Sequence, residues 1–399
     1  MRVTLKEVAT RAELSVSTTS RALNGHPAIS QETTAKVRRI AGELRYHPVR
    51  THRRNAASAN SVLAGRHIAI ASLGLDRSLV AMPVISEAFH GAEDALVEAG
   101  ARAQIVHMPD LAQLPNDLRT DRLDGLILTG AMVGQFALAA DTPAVRILRK
   151  LPSVWVIGDP PGSWGDAVVA DDFAVGSGAA EQLVAHGHLQ LAFLNPVPDN
   201  LLFARREDGF YSAARRLGAE VRSFCQSPAS GWPLPLEAPT SRFDIVQSLI
   251  DQLLESKPRP TAVFTAADSV AALAYCALGV RGLRVGHDIS IISGNNTPGL
   301  WSVPYPHLAT FEIHARKLGA LAVRQLAIQL ADKNYQRHIT GQAQYTSCRV
   351  MVKPTFIPGE SVCDLASATS STGSSLQSKG IAGIARPRRT QQLACVQDT

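Results

Sequence analysis

Val3-Thr-Leu-Lys-Glu-Val-Ala-Thr-Arg-Ala-Glu-Leu-Ser-Val-Ser-Thr-Thr-Ser-Arg-Ala-Leu-Asn-Gly25 reads as two short helices joined by a tight turn. Thr4 stands where its hydroxyl can accept a free backbone N–H and cap the first helix. Leu5, Val8, Ala9 and Ala12 recur at helical spacing and form its inward face. Glu13-Leu14-Ser15 supplies the turn, and Ser15 can cap the second helix. On that helix Thr19, Ala22 and Leu23 share one face, while Ser17, Thr18 and Arg21 share the other. Small hydroxyls and one arginine on the outer face of a second helix suit insertion into a DNA major groove, where Arg bonds guanine bidentately.

Outward from this stretch, residues 30–46 predict a third helix. Ser30 caps it, Glu32 and Thr33 fill its first turn, and Val37, Ile40, Ala41 and Leu44 give the stripe that packs on the first two helices. Pro48 stops it, because the residue before proline is pushed out of the helical region. Residues 49–66 are polar, basic and small, and read as a linker. Through Arg54 the chain holds eleven Lys/Arg against four Asp/Glu, whereas beyond it 29 basic residues face 30 acidic ones. The whole positive excess therefore sits on the helical start, as expected of a phosphate-binding footprint.

These residues carry a resemblance to the lactose/galactose repressor family of bacterial transcription regulators. It rests on Thr4-Leu-Lys-Glu-Val-Ala, Val16-Ser-Thr-Thr-Ser-Arg-Ala-Leu-Asn-Gly25, Ile29-Ser-Gln-Glu-Thr33 and Tyr46-His-Pro48. The resemblance implies DNA contacts from Thr4, Val16, Ser17, Thr18, Arg21, Asn24, Ser30, Thr33 and Tyr46, with Arg53 as the hinge arginine. For Asn24, Ser30 and Thr33, plain capping and turn chemistry is an equal reading. The family's hinge helix wedges a leucine into the minor groove, which kinks the duplex at the cost of unstacking it. Here Asn55 stands in that place, and the linker is longer than the family's. Either Leu63 takes the wedge's role in a shifted helix, or the segment is a flexible basic tether. Two further departures are Glu13, where the family has Gly in the turn, and Thr19 on the core face. Thr19 fits there if its hydroxyl bonds the preceding turn.

From His67 the pattern changes to alternating strands and helices. His67-Ile-Ala-Ile-Ala-Ser-Leu73, Arg102–His107, Asp124–Leu128 and Ser153–Ile157 read as strands; Gln190–Leu194, Thr261–Phe264 and Ile289–Ile292 form a second run. The rhythm implies parallel sheets with helices on both faces. The fold class is thus α/β: an all-α helix-turn-helix headpiece followed by a periplasmic-binding-protein-like sensor of two doubly wound parallel-sheet lobes. The expected domains are 1–48 headpiece, 49–66 hinge, 67–354 effector-binding and dimerisation domain, and 355–399 disordered tail. Lobe 1 is expected at about 67–168 and 299–335, lobe 2 at about 169–298 and 336–354. Chain crossings are placed near Val168–Asp171, Asn295–Pro298 and Tyr335–Ile339.

The resemblance continues through Val169-Ala-Asp-Asp172, His186-Gly-His188, Arg206-Glu-Asp-Gly-Phe210 and Pro260-Thr-Ala-Val-Phe-Thr-Ala-Ala-Asp268. It implies an effector cleft between the lobes, with Arg206 as the effector arginine, Asp171 as its acidic partner and Asn295 where an aspartate is common. Met82-Pro-Val-Ile85 replaces the aromatic cleft segment of the family. Trp155, Trp164 and Trp301 are candidate stacking faces, each also suited to packing. His186 and His188 sit at a helix end, where capping is favoured over metal binding. No catalytic arrangement, metal site or cofactor motif is present, and the scattered Cys225, Cys276, Cys348, Cys363 and Cys395 read as reduced thiols. No signal segment or membrane-length apolar run is found, so a bacterial cytoplasmic location is expected. The function that follows is a homodimeric regulator, a repressor before an activator, binding a pseudo-palindromic double-stranded operator under control of a small-molecule effector such as a sugar. The alternative is a cytoplasmic small-molecule-binding protein without specific DNA readout.

Overall fold

A computed structural model describes residues 5–12, 14–15, 18–19, 22, 30–43, 61–119, 122–133, 142–226, 234–238, 242–297, 306–332, 335 and 345–365. The chain divides into two compact units, Met1–Ser61 and Val62–Thr399.

In the first unit, helices α1 (Leu5–Ala12) and α2 (Gln31–Glu43) enclose a small core of Val8, Ala12, Ala22, Val37, Ile40 and Ala41, with Leu14 packed against it. A turn follows α1, closed by Leu14 N–H donating to the Ala9 carbonyl at 3.0 Å. Ser15 Oγ accepts from Thr18 N at 3.0 Å, and Ser30 Oγ accepts from Thr33 N at 3.2 Å, so both serines cap as their sequence positions suggest. Thr19 differs from expectation. It is fully buried, yet its hydroxyl has no hydrogen bond, so the bond to the preceding turn is not made.

The second unit opens with β1 (His67–Leu73), α3 (Arg77–Val80), α4 (Pro83–Glu98), β2 (Arg102–Met108), β3 (Gly125–Gly130), α5 (Pro143–Leu148), β4 (Ser153–Ile157) and β5 (Asp166–Ala170). There follow α6 (Asp172–Ala185), β6 (Gln190–Asn195), α7 (Leu201–Arg216), β7 (Glu220–Cys225), α8 (Phe243–Glu255), β8 (Ala262–Thr265), α9 (Asp268–Val280) and β9 (Ser290–Ile292). The chain ends, as described, with β10 (Thr310–Glu312), α10 (Ala315–Ala331), β11 (Arg349–Val352) and β12 (Thr355–Ile357). One sheet runs β11-β5-β4-β3-β1-β2, a second runs β7-β6-β8-β9, and β10 pairs antiparallel with β12. Every pairing in the two larger sheets is parallel. The central strands β3, β4 and β5 are buried along their whole length, as strands covered on both faces must be.

The strand pairing corrects two expected crossings. β11 pairs with β5 and belongs to the first lobe, not the second, and β10 joins the second lobe through a bridge of Ala309 to Ile292. The chain therefore passes between lobes at Ala170–Asp171, between β10 and α10, and between β11 and β12. Strands this short carry too little alternation to be read from sequence. The tail is also shorter than expected: β12 is ordered structure, and Ser361 and Leu365 bond His307 and His186 in the second lobe. Residues 366–399 lie outside the described residues. No described helix is long and apolar enough to cross a membrane.

Candidate functional site

Of the residues expected to contact DNA, Thr4, Val16, Ser17, Arg21, Asn24, Tyr46 and Arg53 lie outside the described residues. Thr18, Ser30 and Thr33 lie within them. Thr18 Oγ1 and Ser15 Oγ are 2.8 Å apart, and Ser30 Oγ donates to Thr33 Oγ1 at 2.8 Å. Each pair marks a helix N-terminus, where spare N–H groups and the helix dipole favour a phosphate.

Leu63 is 2% exposed and belongs to the sensor core. That removes it as the minor-groove wedge. The chain enters the sensor over Asp124, which accepts from Arg66 Nη1 at 3.1 Å and from His67 N at 2.8 Å.

The second site grows from the crossing of α6 and α7. A Cβ on Gly176 would meet the Arg206 carbonyl oxygen at 1.8 Å, and one on Gly209 would meet that of Phe173 at 2.1 Å. Only glycine lets the two backbones touch, and this contact delivers Arg206 to the start of α6. Its guanidinium is spent three ways: Nε donates to Asp172 Oδ1, Nη1 to the Ala266 carbonyl and Nη2 to Asn295 Oδ1, each at 2.8 Å. Both members of the Arg206–Asp172 pair are buried, at 3% and 2% side-chain exposure. Burial pushes the Asp172 carboxyl above its ordinary range, and the guanidinium opposes that shift.

Asp171 is thus not the arginine's partner. It caps α6, accepting from Ala174 N at 3.0 Å, and the ion pair belongs to the next residue. A one-residue step turns a carboxylate from helix cap to interior ligand. Asn295 does meet Arg206. Its backbone is left-handed, with φ of 126°, and is held by its N–H donating to the Phe311 carbonyl at 2.8 Å. Asn296 (φ 50°) and His314 (φ 58°) share this conformation, so both the loop bridged to Glu312 and the second crossing, at His314, use a costly backbone region.

Asp268 closes the Pro260–Asp268 motif, which marks its position but not its contacts. Fully buried, it accepts from Thr297 N and from Thr310 Oγ1, both at 2.7 Å, and so ties the loop after β9 and strand β10 to α9. A cavity of about 490 Å³ opens beside Asn295, and Pro83 and Val84 line it together with Asn296, Glu312 and Lys317.

The lobes meet along the carboxyl ends of their strands. Asp76 N–H donates to the Leu236 carbonyl at 2.8 Å, Leu236 N–H to Gly74 at 2.9 Å, and Leu201 N–H to Met132 at 2.7 Å. Arg205 Nη1 lies 3.9 Å from Asp159 Oδ1 across the same boundary. The tryptophans serve packing. Trp155 and Trp164 make an edge-to-face pair at 5.3 Å, with Trp155 Nε1 donating to the Trp164 carbonyl; Trp301 lies outside the described residues. His188 is buried, with Nδ1 at 2.9 Å from Thr261 Oγ1 and Nε2 at 3.0 Å from the Cys363 carbonyl, while His186 ends α6. The pair therefore anchors backbone.

Residues 4–49 match the family described as bacterial regulatory proteins, lacI family, and residues 180–362 match the periplasmic binding protein-like domain. The chain thus carries a lacI-type DNA-binding domain and a periplasmic-binding-protein-like domain. The HTH-type transcriptional repressor PurR of Pectobacterium carotovorum is 26% identical over 376 residues, covering 90% of this chain and 97% of that protein. The ribose operon repressor of Escherichia coli K12 is 28% identical over 342 residues, covering 84% and 95%. Among solved structures, the lac repressor dimer bound to operator and an anti-inducer aligns with a TM-score of 0.54 at 22% identity, covering 91% of this chain and all of that one. With these two domains the chain is a DNA-binding transcriptional regulator with a ligand-binding sensor, like the repressors it resembles, which are not enzymes.

Proposed function

We propose that this regulator is a homodimeric repressor acting on a pseudo-palindromic operator, released or recruited by a small-molecule effector held between the two sensor lobes. The observation that carries this reading is the union, in one chain, of a basic lacI-type unit with a two-lobed module whose lobes meet at Arg205 and Asp159, beside the buried Arg206–Asn295 pair. In DNA recognition Arg21 reads a base edge, and Thr18, Ser30 and Thr33 position the unit on phosphates. The effector belongs to the sugars or related metabolites, in keeping with the ribose operon repressor among its relatives. The protein works in the bacterial cytoplasm, on the nucleoid when bound.

Control is a population shift. An effector that binds the closed lobes better than open ones moves the equilibrium by no more than that difference in affinity. The three strand-level crossings turn lobe closure into a change at the Arg66–Asp124 entry, through which the linker leaves.

Selection from random duplex DNA with the full-length protein, followed by salt titration of the enriched site, tests the DNA half. The expected result is a symmetric site whose log affinity falls steeply with log salt, as for about six to ten phosphate contacts. Binding indifferent to sequence would overturn it and favour a small-molecule-binding protein without specific readout.

A further inference from the structure

A groove of about 490 Å³ runs down the flank of the first lobe between α4 and α10. One end touches Asn295, but Asp94, Ala95 and Glu98 carry it along α4, away from the carboxyl ends of the strands. Its floor is backbone. The two helices touch where a Cβ on Gly91 would meet the Arg316 carbonyl oxygen and one on Gly319 that of Ala88, each at 1.9 Å. Ala95, Ala315 and Ala320 keep the floor low and apolar. Four carboxylates line the groove, Glu87, Asp94, Glu98 and Glu312, against the cations Arg316 and Lys317. Arg316 Nη1 donates to Glu87 Oε2 at 3.2 Å and its Nη2 to Asp94, so one guanidinium serves two negative charges. An apolar floor between carboxylates suits arginine, whose methylenes lie on apolar surface while its head stays charged.

The chain supplies such arginines. Residues 366–399 hold Lys379, Arg386, Arg388 and Arg389 against the single acid Asp398, and three of these cations fall in Arg386-Pro-Arg-Arg389. This stretch starts from the second lobe, where Cys363 N donates to Ser290 Oγ at 2.9 Å and Leu365 N to the His186 carbonyl at 2.9 Å. Ser290 opens β9, and Asn295, five residues on, lines the groove. At about 3.3 Å per extended residue, that separation is about 17 Å. A Ser/Ala/Gly-rich stretch the length of residues 366–385 reaches about 25 Å on average, enough to bridge it. We propose that Arg386–Arg389 docks in the α4–α10 groove of its own chain. Each exposed ion pair is weak by itself, but the tether holds the segment at an effective concentration near the millimolar range. Because α10 starts just after His314, where the chain crosses between the lobes, the docked segment favours the lobe arrangement in which the groove exists. The tail is thus a built-in, salt-sensitive restraint on the sensor.

Hydrogen–deuterium exchange of the full-length protein tests this, set beside the triple variant Arg386→Glu, Arg388→Glu, Arg389→Glu. The expected result is slower exchange over residues 83–98 and 315–320 in the wild type, with the difference erased at about 0.5 M salt. A labelled synthetic peptide of residues 380–393, followed by fluorescence anisotropy, then supplies the segment in trans. It should bind the triple variant, and bind the wild type at least about tenfold more weakly, because the wild type's own tail competes. Glu98→Lys and Ala320→Lys, each added to the triple variant, place a cation in the groove and should weaken the peptide about threefold or more. Circular dichroism melts level with the parent show that these variants keep the fold. Equal exchange in the two full-length proteins overturns the proposal, as does a peptide that fails to bind. A peptide bound equally by wild type and triple variant, or indifferent to the two groove substitutions, sits elsewhere and overturns it too. Protection that survives the triple substitution and grows with protein concentration would assign the groove to a second copy of the chain instead.

Discussion

Arg205 and Asp159 belong to different lobes, yet their side chains approach to 3.9 Å, and Arg349 of the first lobe grips the same carboxylate. One aspartate thus links an inter-lobe contact to the edge strand β11. The pair is partly exposed, so its worth lies in geometry more than in energy. Arg205→Ala is expected to cost less than about 1 kcal/mol of unfolding free energy. It should still increase the radius of gyration of the unliganded sensor in small-angle scattering. An unchanged scattering curve would show that the lobes are held together by the backbone bonds at Leu236 and Leu201 alone.

The Arg206–Asp172 pair is of the opposite kind. Removing one member of a buried ion pair strands the other charge away from water, which costs about 3–5 kcal/mol. Asp172→Asn should therefore lower sensor stability in urea by about that much, while Asp171→Asn, at the helix cap, should cost about 1 kcal/mol or less. Equal losses at the two positions would contradict the assignment of cap and ion pair.

His188 gives a pH signature. Burial holds its imidazole below the ordinary value of 6.5, so the folded sensor stays neutral there while the unfolded chain takes up a proton. Stability contributed by this residue is thus complete above pH 6.5 and lost as pH falls below it, with a slope of at most about 1.4 kcal/mol per pH unit. His188→Asn should flatten that part of the profile in denaturant melts at pH 5–7, and a slope that survives the substitution would assign it to His107, which burial also depresses.

Thr19 buries a hydroxyl that bonds nothing. Thr19→Val keeps the shape and removes the unpaired group, so the DNA-binding unit should gain about 1 kcal/mol. Thermal unfolding followed by circular dichroism checks this, with a loss of stability as the contrary outcome.

Leu63→Ala separates a core residue from a DNA wedge. As a buried leucine it should cost the sensor about 2–5 kcal/mol. DNA bending by the bound protein, measured by the mobility of circularly permuted fragments, should not change. Lost bending with intact stability would restore Leu63 to the minor groove.

Much of this was readable in the chain. The apolar spacing in Val8, Ala12, Val37 and Ile40 is strong because one face must be buried, and the same holds for the continuous runs of β3 and β4. Arg206 and Asn295, both legible as candidate site residues, meet in the structure, although the sequence pairs the arginine with Asp171 instead. What escaped was set by tertiary geometry. Asp171 and Asp172 are chemically identical in the sequence, and only the point where α6 begins decides which one turns inward. β10 and β11 are 3 and 4 residues long, too short for any period, so the lobe to which each belongs is fixed by its partners. Leu63 looked like linker because its neighbours are polar; it is core because Gly65 N–H bonds Gly100 and draws the chain onto the sheet.

The pairing of β11 with β5 and the anchoring of Leu365 on His186 also bear on how the protein is made. Each lobe is assembled from stretches far apart in synthesis, and neither is complete until the chain has been translated past these final pieces. The DNA-binding unit needs only the first 61 residues. Since N-terminal units fold first during translation, a nascent or prematurely ended chain would carry a finished DNA-binding unit with no working control over it. Reliable regulation then depends on β11 and the Leu365 anchor being made, long after the DNA-binding unit has folded.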